Sequence, residues 1–343
     1  MERKMMAANL HGVNDLRYEE VPVPECKEDE VLLAVRYCGV CGSDVERVLK
    51  KGTYHFPTIP GHEFSGVVEY DPKGEWTGQR ATVFPLLPCR KCEMCKKQLF
   101  QLCQDYDYYG SRRDGGYSEY LAVKRRNLIK LPDHVSLEEG ALCEPVSVAH
   151  HAVVRLGVTR GESILISGAG PIGLLAAQWA RAFGADKVYL FDIDKRKTDL
   201  AEKMGFLTYE DGTAVDAVLE GTGYADALIR CLNAVRPFGR VVLMGNPAKD
   251  VELPQKAYWH ILRKELTVKG TWNSSFSDRE NDWKESLQAM EEGRLKVREI
   301  ISHILPLSRC NEAFTMLTDR NVFTNRILFS MSGDKFEGKL SDY

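Results

Sequence analysis

The distribution of apolar residues in the middle of the chain predicts two buried strands joined through a helix. Ser163–Ser167 and Lys187–Phe191 are short apolar runs, whereas residues 174–183 carry apolar side chains at helical spacing. The turn GAGPIG joins the first run to the helix, and Gly184 can end the helix in a left-handed conformation. The pattern therefore predicts a strand, a glycine-rich turn, a helix and a second strand, in that order.

The glycine-rich turn has the spacing of a dinucleotide-binding loop. Gly168 permits a tight turn, Gly170 lets a pyrophosphate come close to the backbone, and Gly173 lets the helix pack on the strand. The N-terminus of the helix, at Pro171 and Ile172, offers free N–H groups to an anion. A lone turn of this kind is weak evidence, because it can be a structural glycine turn, so its neighbours decide the interpretation.

An acidic residue stands where a dinucleotide-binding loop needs one. Asp192 ends the second strand, nineteen residues after Gly173, and can accept hydrogen bonds from the ribose hydroxyls of the adenosine. Its charge would repel a 2′-phosphate, which favours NAD over NADP, although Arg196 and Lys197 close by weaken that preference. The flanking strands and this acid together predict an NAD site.

The remaining pattern places a β-rich module around this unit. Short strand-like runs precede it, separated by proline, glycine and acidic turns, at 21–24, 30–37 and 66–70. Further elements of the parallel sheet follow it, with strands at 216–220, 240–244 and 266–270 and a helix at 225–235. The last elements are predicted to return to the β-rich module, as helices near 283–293 and 311–318 and a strand at 326–329.

Composition and charge exclude several classes of function. The chain has 343 residues, enough for two domains, and its formal net charge of −3 comes from interspersed charges. It contains no long basic block and no apolar run near the ~20 residues of a spanning helix, so neither nucleic acid nor membrane is expected as a partner. A cytoplasmic protein is the expectation.

Four closely spaced cysteines give the strongest local signal. Cys89, Cys92, Cys95 and Cys103 follow the pattern CxxCxxCx7C. Four thiolates at this spacing can surround one tetrahedral zinc ion and leave it no open position, so the site would be structural. An iron–sulfur cluster or two disulfides are the alternatives.

A second group of residues could form a catalytic metal site, although they lie far apart in the sequence. Cys41, His62 and Glu144 are all possible zinc ligands, and three protein ligands with one open position are typical of a catalytic zinc. Taken singly, each has a simpler interpretation as a buried thiol, a core or surface imidazole, or a helix-start acid. Ser43 and Asp44 favour the metal site, because Asp44 could orient a ligand imidazole and Ser43 could carry a proton away.

Two adjacent arginines in an aromatic, glycine-rich segment could bind an anion. Arg112 and Arg113 lie in DYDYYGSRRDGGYSEY, beside the turn at Gly115 and Gly116. A solvated loop with a hairpin is the simpler interpretation. The functional one is that an arginine binds the phosphate of a substrate, since a guanidinium fork suits phosphate geometry.

These motifs together resemble the zinc-dependent medium-chain dehydrogenases of the alcohol and polyol type. CGSD, GHEFSG, the four cysteines, EP and GAGPIG occur in that order over essentially the full chain. Within the family the chain is similar to the galactitol-1-phosphate 5-dehydrogenases, through PLLPC, YDYYGSRRDGG, AVKRRN and ILRKELTVKG. The resemblance implies an α/β protein with a doubly wound parallel-sheet (Rossmann) domain at 149–273 and a β-rich GroES-like catalytic domain at 1–148 and 274–343.

The resemblance also assigns roles to the candidate residues. It implies that Cys41, His62 and Glu144 hold a catalytic zinc, with Glu63 replacing or exchanging with Glu144. It gives Ser43 the proton relay and Asp44 the support of the ligand histidine. The four cysteines would hold a second, structural zinc, so that each chain carries two Zn²⁺ ions and binds NAD.

The function implied is the oxidation of a secondary hydroxyl of a sugar-alcohol phosphate, with galactitol 1-phosphate converted to tagatose 6-phosphate, in a homodimer or homotetramer. The alternatives are an unphosphorylated, sorbitol-like polyol or L-threonine as the substrate. A zinc protein that senses NAD(H) without turnover is the alternative from another class, and Ser43 beside three metal-ligand candidates argues against it.

Overall fold

A computed structural model describes residues 3–331 of the chain, which divide into two compact units. Within that part, unit 1 contains residues 3–144, Phe276–Glu291 and 297–331. Unit 2 contains Pro145–Ser275 and Glu292–Lys296. Unit 1 is therefore assembled from segments on both sides of unit 2 in the sequence.

The secondary structure alternates short strands with short helices. The strands are β1 (Lys4–Gly12), β2 (Asp15–Pro22), β3 (Glu30–Gly39), β4 (Glu63–Tyr70), β5 (Arg80–Val83), β6 (Leu86–Leu87), β7 (Asp107–Tyr108), β8 (Tyr120–Lys124), β9 (Leu128–Lys130), β10 (Ser163–Ser167), β11 (Lys187–Phe191), β12 (Leu207–Thr208), β13 (Val215–Glu220), β14 (Val235–Leu243), β15 (Thr267–Gly270), β16 (Ile301–Pro306) and β17 (Arg326–Ser330). The α-helices are α1 (Gly42–Glu46), α2 (Glu93–Lys96), α3 (Leu137–Ala141), α4 (Cys143–Leu156), α5 (Pro171–Ala182), α6 (Lys195–Lys203), α7 (Ala225–Ala234), α8 (Gln255–Arg263), α9 (Asp282–Glu291) and α10 (Cys310–Thr318).

Unit 1 is built around strand β3. Its sheet has the order β16-β17-β3-β4-β5-β9, and β8 also pairs with β3. All these pairs are antiparallel except β16 with β17, and β1 and β2 form a separate antiparallel hairpin. The first six residues of β3 are all buried, which fits a strand covered on both faces. The core of unit 1 therefore surrounds this central strand.

The register of β3 positions the site described below. Gly39, the last residue of β3, lies opposite Glu63, the first residue of β4, and opposite Leu328 of β17. Only Val40 separates β3 from Cys41, and His62 immediately precedes β4. The pairing thus brings together two sequence segments that are about twenty residues apart.

Unit 2 is a parallel sheet of six strands, in the order β12-β11-β10-β13-β14-β15. Numbered within the unit, this is the order 3-2-1-4-5-6 of doubly wound dinucleotide-binding folds. The predicted α/β fold class with a Rossmann unit and a β-rich unit is confirmed. The strands are rich in valine, leucine and isoleucine, and β10 and β13 are buried along most of their length, as expected of a parallel sheet covered by helices.

The predicted strand at 21–24 is wrong in its second half. Strand β2 runs over Asp15–Pro22 and pairs with β1, whereas Val23 and Pro24 lie outside it. Proline has no N–H to donate, so the strand ends where two prolines alternate with valine. The sequence analysis also missed the β1–β2 hairpin and helix α8.

Candidate functional site

Three possible metal ligands come together in unit 1. One ligand atom from each of Cys41, His62 and Glu63 lies within 4.8 Å of the other two. His62 and Glu63 are buried, and Cys41 is partly buried. The β3–β4 register explains the cluster, because it places the end of one strand beside the start of the next.

Local backbone structure fixes the thiol of this cluster. Cys41 caps helix α1, and its Sγ accepts a hydrogen bond from the Ser43 N–H at 3.5 Å. The Asp44 carboxylate accepts one in return from the Cys41 N–H, at 3.1 Å. Gly61, before the histidine, has a φ of 92°, and a Cβ there would lie 2.4 Å from the Tyr117 ring, so only glycine fits.

A buried carboxylate supports the imidazole. Asp44 is fully buried, and its Oδ1 lies 3.3 Å from Nδ1 of His62 without the alignment of a hydrogen bond. Burial lowers the pKa of His62, but the interactions with Asp44 and Cys41 together outweigh burial and raise that pKa well above its ordinary value. The Tyr117 hydroxyl donates to Asp44 at 3.1 Å. Asp44 is thus placed to orient His62, as the sequence analysis predicts.

The third member of the cluster is held by a buried arginine. Arg326, at the start of β17, donates from Nη1 to the two carboxylate oxygens of Glu63 at 2.9 and 3.0 Å, and to the carbonyl of Val40 at 2.8 Å. Its side chain is 4 % exposed and that of Glu63 1 %. The sequence analysis missed Arg326, because no local pattern links it to Glu63, 263 positions away.

Glu144 lies outside the group of three ligand atoms. Glu144 belongs to unit 1 and occupies the first turn of α4. It is buried, and the Tyr108 hydroxyl donates to its Oε1 at 3.5 Å. Burial raises the pKa of Glu144 to about 7, with Glu63 adding to the shift and His62 opposing it. The structure therefore groups Glu63 with Cys41 and His62, and Glu144 as the third ligand stays a prediction.

The donor set fits a zinc ion. A thiolate, an imidazole and a carboxylate are the ligand types of catalytic zinc sites, and three of them leave one position for a substrate. The Nδ1 atom of His62 is buried and forms no aligned hydrogen bond among residues 3–331, although the Asp44 carboxylate lies 3.3 Å from it. Ser43 lies beside the cluster, where its Oγ accepts from Arg47 at 2.7 Å.

The four cysteines of the second motif also come together. One sulfur from each of Cys89, Cys92, Cys95 and Cys103 lies within 4.8 Å of the others. The Sγ atoms of Cys89 and Cys95 are 3.9 Å apart, and those of Cys92 and Cys103 4.0 Å. A tetrahedral zinc with bonds of about 2.3 Å requires S–S separations of about 3.8 Å, whereas a disulfide requires about 2.05 Å. None of the ten cysteines, all within residues 3–331, forms a disulfide, so the disulfide alternative is not realised here.

Backbone N–H groups point at these sulfurs. The N–H groups of Cys92 and Cys95 donate to the sulfur three residues before each, at 3.4 and 3.5 Å, and the Cys89 N–H donates to Cys103 at 3.2 Å. Such hydrogen bonds from Gln104 and Cys95 lower the pKa of Cys92 to about 6. Backbone N–H groups also lower the pKa of Cys89, whereas burial raises the pKa values of Cys95 and Cys103, so the lobe favours the thiolate, the form that binds metal, at Cys89 and Cys92.

In unit 2 the glycine-rich loop has the geometry of a dinucleotide site. Gly168 has a φ of 105°, and a Cβ on Gly173 would lie 1.9 Å from the Gly168 carbonyl oxygen. A Cβ on Gly170 would meet nothing within 4 Å, so space is open beside the N-terminus of α5, where Pro171 and Ile172 begin the helix. The loop fits a pyrophosphate.

The acid at the end of β11 belongs to the same loop. The Asp192 carboxylate accepts hydrogen bonds from the N–H groups of Ala169 and Asp194, each at 2.9 Å. Arg196, by contrast, donates to Asp194 through Nε and Nη2, at 2.9 and 2.7 Å. The backbone N–H of Lys197 bonds to the Asp194 carbonyl. Arg196 is thus paired with Asp194, and the negative charge of Asp194 would repel a 2′-phosphate.

A buried acid missed by the sequence analysis shapes another loop of unit 2. Glu220, the last residue of β13, accepts hydrogen bonds from the N–H groups of Thr222 and Gly223. A Cβ on Gly245 would lie 2.0 Å from the Gly223 nitrogen, so the turns after β13 and β14 are in close contact. Both turns follow carboxyl ends of parallel strands, where such sheets bind ligands.

The two arginines of the aromatic segment have different surroundings. The Arg112 guanidinium lies over the rings of Tyr54 and Tyr106, at 4.2 and 4.6 Å from their centroids. Arg113 forms a salt bridge with Asp107 at 2.8 Å. The charge of Arg113 is therefore neutralised within the protein, and that of Arg112 is not.

Two family descriptions match the chain. Residues 27–133 match the alcohol dehydrogenase GroES-like domain, and residues 171–292 match the zinc-binding dehydrogenase domain. Among curated relatives, galactitol 1-phosphate 5-dehydrogenase of Escherichia coli K12 is 35% identical over 315 residues, 85% of this chain and 91% of the relative. Sorbitol dehydrogenase of Bombyx mori is 34% identical over 337 residues, 90% and 94% of the two chains.

Solved structures give the same result. Galactitol-1-phosphate dehydrogenase from E. coli superposes with a TM-score of 0.88 at 32% identity, over 95% of this chain and all of that one (100%). A zinc-binding dehydrogenase from Sinorhizobium meliloti 1021, solved with NADP, also gives a TM-score of 0.88 at 27% identity, over 96% of this chain and 100% of that one.

No helix within residues 3–331 is long and apolar enough to cross a membrane.

The two glycines of the loop in unit 2 predict different mutant behaviour. Gly170→Ala should leave the melting temperature unchanged but weaken NAD binding about tenfold or more, because its Cβ would occupy only the open space. Gly173→Ala should destabilise unit 2 by about 1–3 kcal/mol, because its Cβ collides with the Gly168 carbonyl. Calorimetry and NADH-fluorescence titration measure both effects. Equal NAD affinity in Gly170→Ala and the unsubstituted protein would contradict the site.

The four-cysteine lobe predicts a metal dependence of its own. Cys92→Ser should lower the zinc content by one ion per chain and lower the melting temperature by about 5–10 °C, because small metal lobes have little core. Elemental analysis and thermal unfolding check this, with Cys26→Ser as the control at a cysteine outside both clusters. Unchanged zinc content in Cys92→Ser would show that the lobe holds no metal.

Proposed function

The chain belongs to the zinc-dependent medium-chain alcohol dehydrogenases, and we propose that it oxidises a sugar-alcohol phosphate with NAD. As a member of the family it is an oxidoreductase of alcohols or polyols that depends on zinc and a nicotinamide cofactor. The substrate that we propose is galactitol 1-phosphate, oxidised at a secondary hydroxyl to tagatose 6-phosphate. The observation that carries the proposal is the cluster of Cys41, His62 and Glu63.

Cys41, His62 and a glutamate would hold the catalytic zinc, with Glu144 or Glu63 as the third ligand. When bound, the metal supplies positive charge that lowers the pKa of an alcohol, as metals lower that of water to about 7. Bound NAD would supply the hydride acceptor, so that the products would be a ketone, NADH and one proton. The protein's task is to bind the alcohol, hold the imidazole in place and release that proton.

The neighbouring side chains perform these tasks. Asp44 faces His62 at 3.3 Å and orients the imidazole. Ser43 lies beside the cluster and carries the proton away from the substrate hydroxyl. Arg326 holds the Glu63 carboxylate through both oxygens, which limits its freedom to change position. Burial raises the pKa of Glu144 to about 7, so Glu144 would have to lose its proton to replace Glu63 as a zinc ligand.

NAD is the cofactor that we propose, in preference to NADP. The Asp192 carboxylate is held at the glycine loop by two backbone N–H groups, where it can accept hydrogen bonds from a ribose. Arg196, which could have received a 2′-phosphate, is paired with Asp194. We propose two Zn²⁺ ions per chain, since two separate ligand clusters are present in unit 1.

Two alternatives use the same fold. Relatives named for sorbitol and D-xylulose make an unphosphorylated polyol the second candidate substrate. L-Threonine is a third. The phosphorylated substrate is favoured by the uncompensated charge of Arg112. A non-catalytic NAD(H) sensor would need no metal-ligand cluster beside Ser43.

The location that we propose for the enzyme is the cytoplasm. Its reducing conditions suit ten cysteines that form no disulfide.

The proposed reaction predicts NADH formation from the purified, zinc-loaded protein. Galactitol 1-phosphate should be oxidised with a higher kcat/KM than galactitol, sorbitol or L-threonine. Cys41→Ser should lower kcat/KM by more than about 100-fold, since even residues that only support metal ligands contribute about 10–100-fold. NAD affinity should stay unchanged, because the thiol belongs to unit 1 and the glycine loop to unit 2. Equal loss of turnover and NAD affinity would count against the assignment.

A homodimer or homotetramer is proposed as the assembly. Strand β15 lies at one end of the sheet of unit 2, and its four residues are exposed. Tyr258 and Leu262 on α8 are also exposed, by 52% and 57%. An unpaired sheet edge and exposed apolar side chains each favour association with another chain. Light scattering should give a multiple of 38.7 kDa, and Leu262→Glu should shift it towards the monomer; a monomeric mass for the unsubstituted chain would refute the proposal.

A further inference from the structure

A basic cleft in unit 1 lies outside the two cysteine-containing metal clusters, apart from the edge formed by Cys89. The volume of the cleft is about 610 Å³. None of the three clustered ligand residues, Cys41, His62 and Glu63, lines it. Its charged lining consists of five cations and two acids: Lys91, Arg112, Arg113, Lys124, Arg126, Asp105 and Asp107. The excess of cations makes an anion the kind of ligand to consider first.

Three of the five cations already have acidic partners. Lys124 contacts Asp29 and Glu30, each at 2.9 Å, and Arg113 contacts Asp107 at 2.8 Å. Lys91 lies 3.7 Å from Asp105, and both side chains are more than 70% exposed, so this pair is weak. Lys124 and Arg113 therefore contribute little free charge to the cleft, whereas the charge of Lys91 is only weakly compensated.

Arg112 and Arg126 are the two cations of the cleft that form no salt bridge within residues 3–331. Within residues 3–331 neither has a carboxylate at salt-bridge distance, and Arg126 is exposed. The Arg112 guanidinium is held over the rings of Tyr54 and Tyr106, and its buried Nε has no hydrogen-bond partner in the described part of the chain. The protein thus fixes the position of the Arg112 guanidinium without pairing it with a carboxylate among the described residues.

A phosphate monoester matches this arrangement. A guanidinium stacked on aromatic rings keeps its N–H edge free, and that edge fits two phosphate oxygens. The charge of about −1.5 to −2 on a phosphate monoester would balance the two arginines. A neutral polyol would leave both charges uncompensated, so the cleft distinguishes phosphorylated from unphosphorylated ligands.

Aromatic side chains of unit 1 pack in series between Arg112 and the metal cluster. The ring of Tyr106, which supports Arg112, contacts the ring of Tyr108 at a centroid distance of 6.3 Å. The Tyr108 ring in turn lies 5.6 Å from that of His62. Two ring contacts therefore lead from the arginine to a metal ligand.

We propose that this cleft binds the phosphate group of the substrate, with Arg112 as the principal ligand, Arg126 as a second cation and Tyr54 and Tyr106 as the platform. The inference rests on the proposed function and deepens it. It selects Arg112 over its neighbour Arg113, whose charge Asp107 neutralises. It also assigns Arg126 and Tyr54, which lie in other parts of the sequence.

The test compares four variants of the zinc-loaded, full-length protein: Arg112→Gln, Arg112→Lys, Arg126→Gln and, as a matched control at an exposed cation outside the cleft, Lys130→Gln. Steady-state kinetics are measured with galactitol 1-phosphate and with galactitol. Calorimetric titration with inorganic phosphate is measured in parallel, without substrate or NAD. Melting temperatures identify any variant that fails to fold, and Arg126→Gln, at an exposed position, then provides the second test.

Arg112→Gln should lower kcat/KM for the phosphate ester about 10- to 100-fold and leave that for galactitol unchanged, because it removes charge-assisted hydrogen bonds to phosphate alone. Arg112→Lys should be intermediate, since it keeps the charge without the fork, and Arg126→Gln should lose about 3- to 10-fold. The Lys130→Gln variant should match the unsubstituted protein. Equal loss for both substrates in Arg112→Gln would overturn the inference while the proposed function stands.

The titration separates failure of the cleft from failure of the proposed function. If the protein oxidises no polyol phosphate, the proposed function fails, but inorganic phosphate that binds the unsubstituted protein and not Arg112→Gln would still support the cleft as a phosphate site. If inorganic phosphate binds neither protein at millimolar concentration, or binds both equally, the cleft is not a phosphate site.

Discussion

The antiparallel register of β3 and β4 is the constraint on which the metal cluster depends. It sets Gly39 opposite Glu63, so that Cys41 and His62 leave the sheet side by side. A slip of β4 by one residue against β3 would turn its side chains, including that of Glu63, to the other face of the sheet. The ligand atoms would then be separated. The register is stabilised by burial, because the first six residues of β3 and the first four of β4 are buried. The chemistry of the site therefore depends on the packing of a strand that contributes no ligand itself.

Burying this cluster creates a problem of charge, and the structure solves it with further buried groups. Unpaired buried charges cost several kcal/mol each, so a carboxylate in this position needs partners. Arg326 pairs with Glu63, Asp44 faces His62, and Tyr117 donates to Asp44. Glu144 has no cation at salt-bridge distance among the described residues, and its pKa is raised by burial, which gives the site one acid that can change its charge near neutral pH. Removing Arg326 or Asp44 would thus disturb the metal cluster even though neither belongs to it.

Sequence reasoning located the parts of the site that depend on local spacing. The glycine loop, the strand-ending Asp192 and the four-cysteine motif are short patterns whose physics is contained in a few neighbouring residues. Arg326 and Glu220 could not be found in this way, because their partners are set by strand pairing and by the path of the backbone rather than by spacing. The same limit explains why the sequence analysis named Glu144 as the third ligand and Glu63 only as its replacement, whereas the structure groups Glu63 with Cys41 and His62. Distinguishing Arg112 from Arg113 likewise required the position of Asp107 in space.

The central claim is that Cys41, His62 and a glutamate form a zinc site in unit 1, separate from the four cysteines. Anomalous diffraction at the zinc absorption edge, from crystals grown with zinc, tests it most directly. The account predicts two peaks per chain, one bonded to the four cysteine sulfurs and one bonded to Cys41 Sγ, the His62 imidazole and the carboxylate of Glu63 or Glu144. A single peak at the four cysteines, with Cys41 and His62 free of metal, would contradict it.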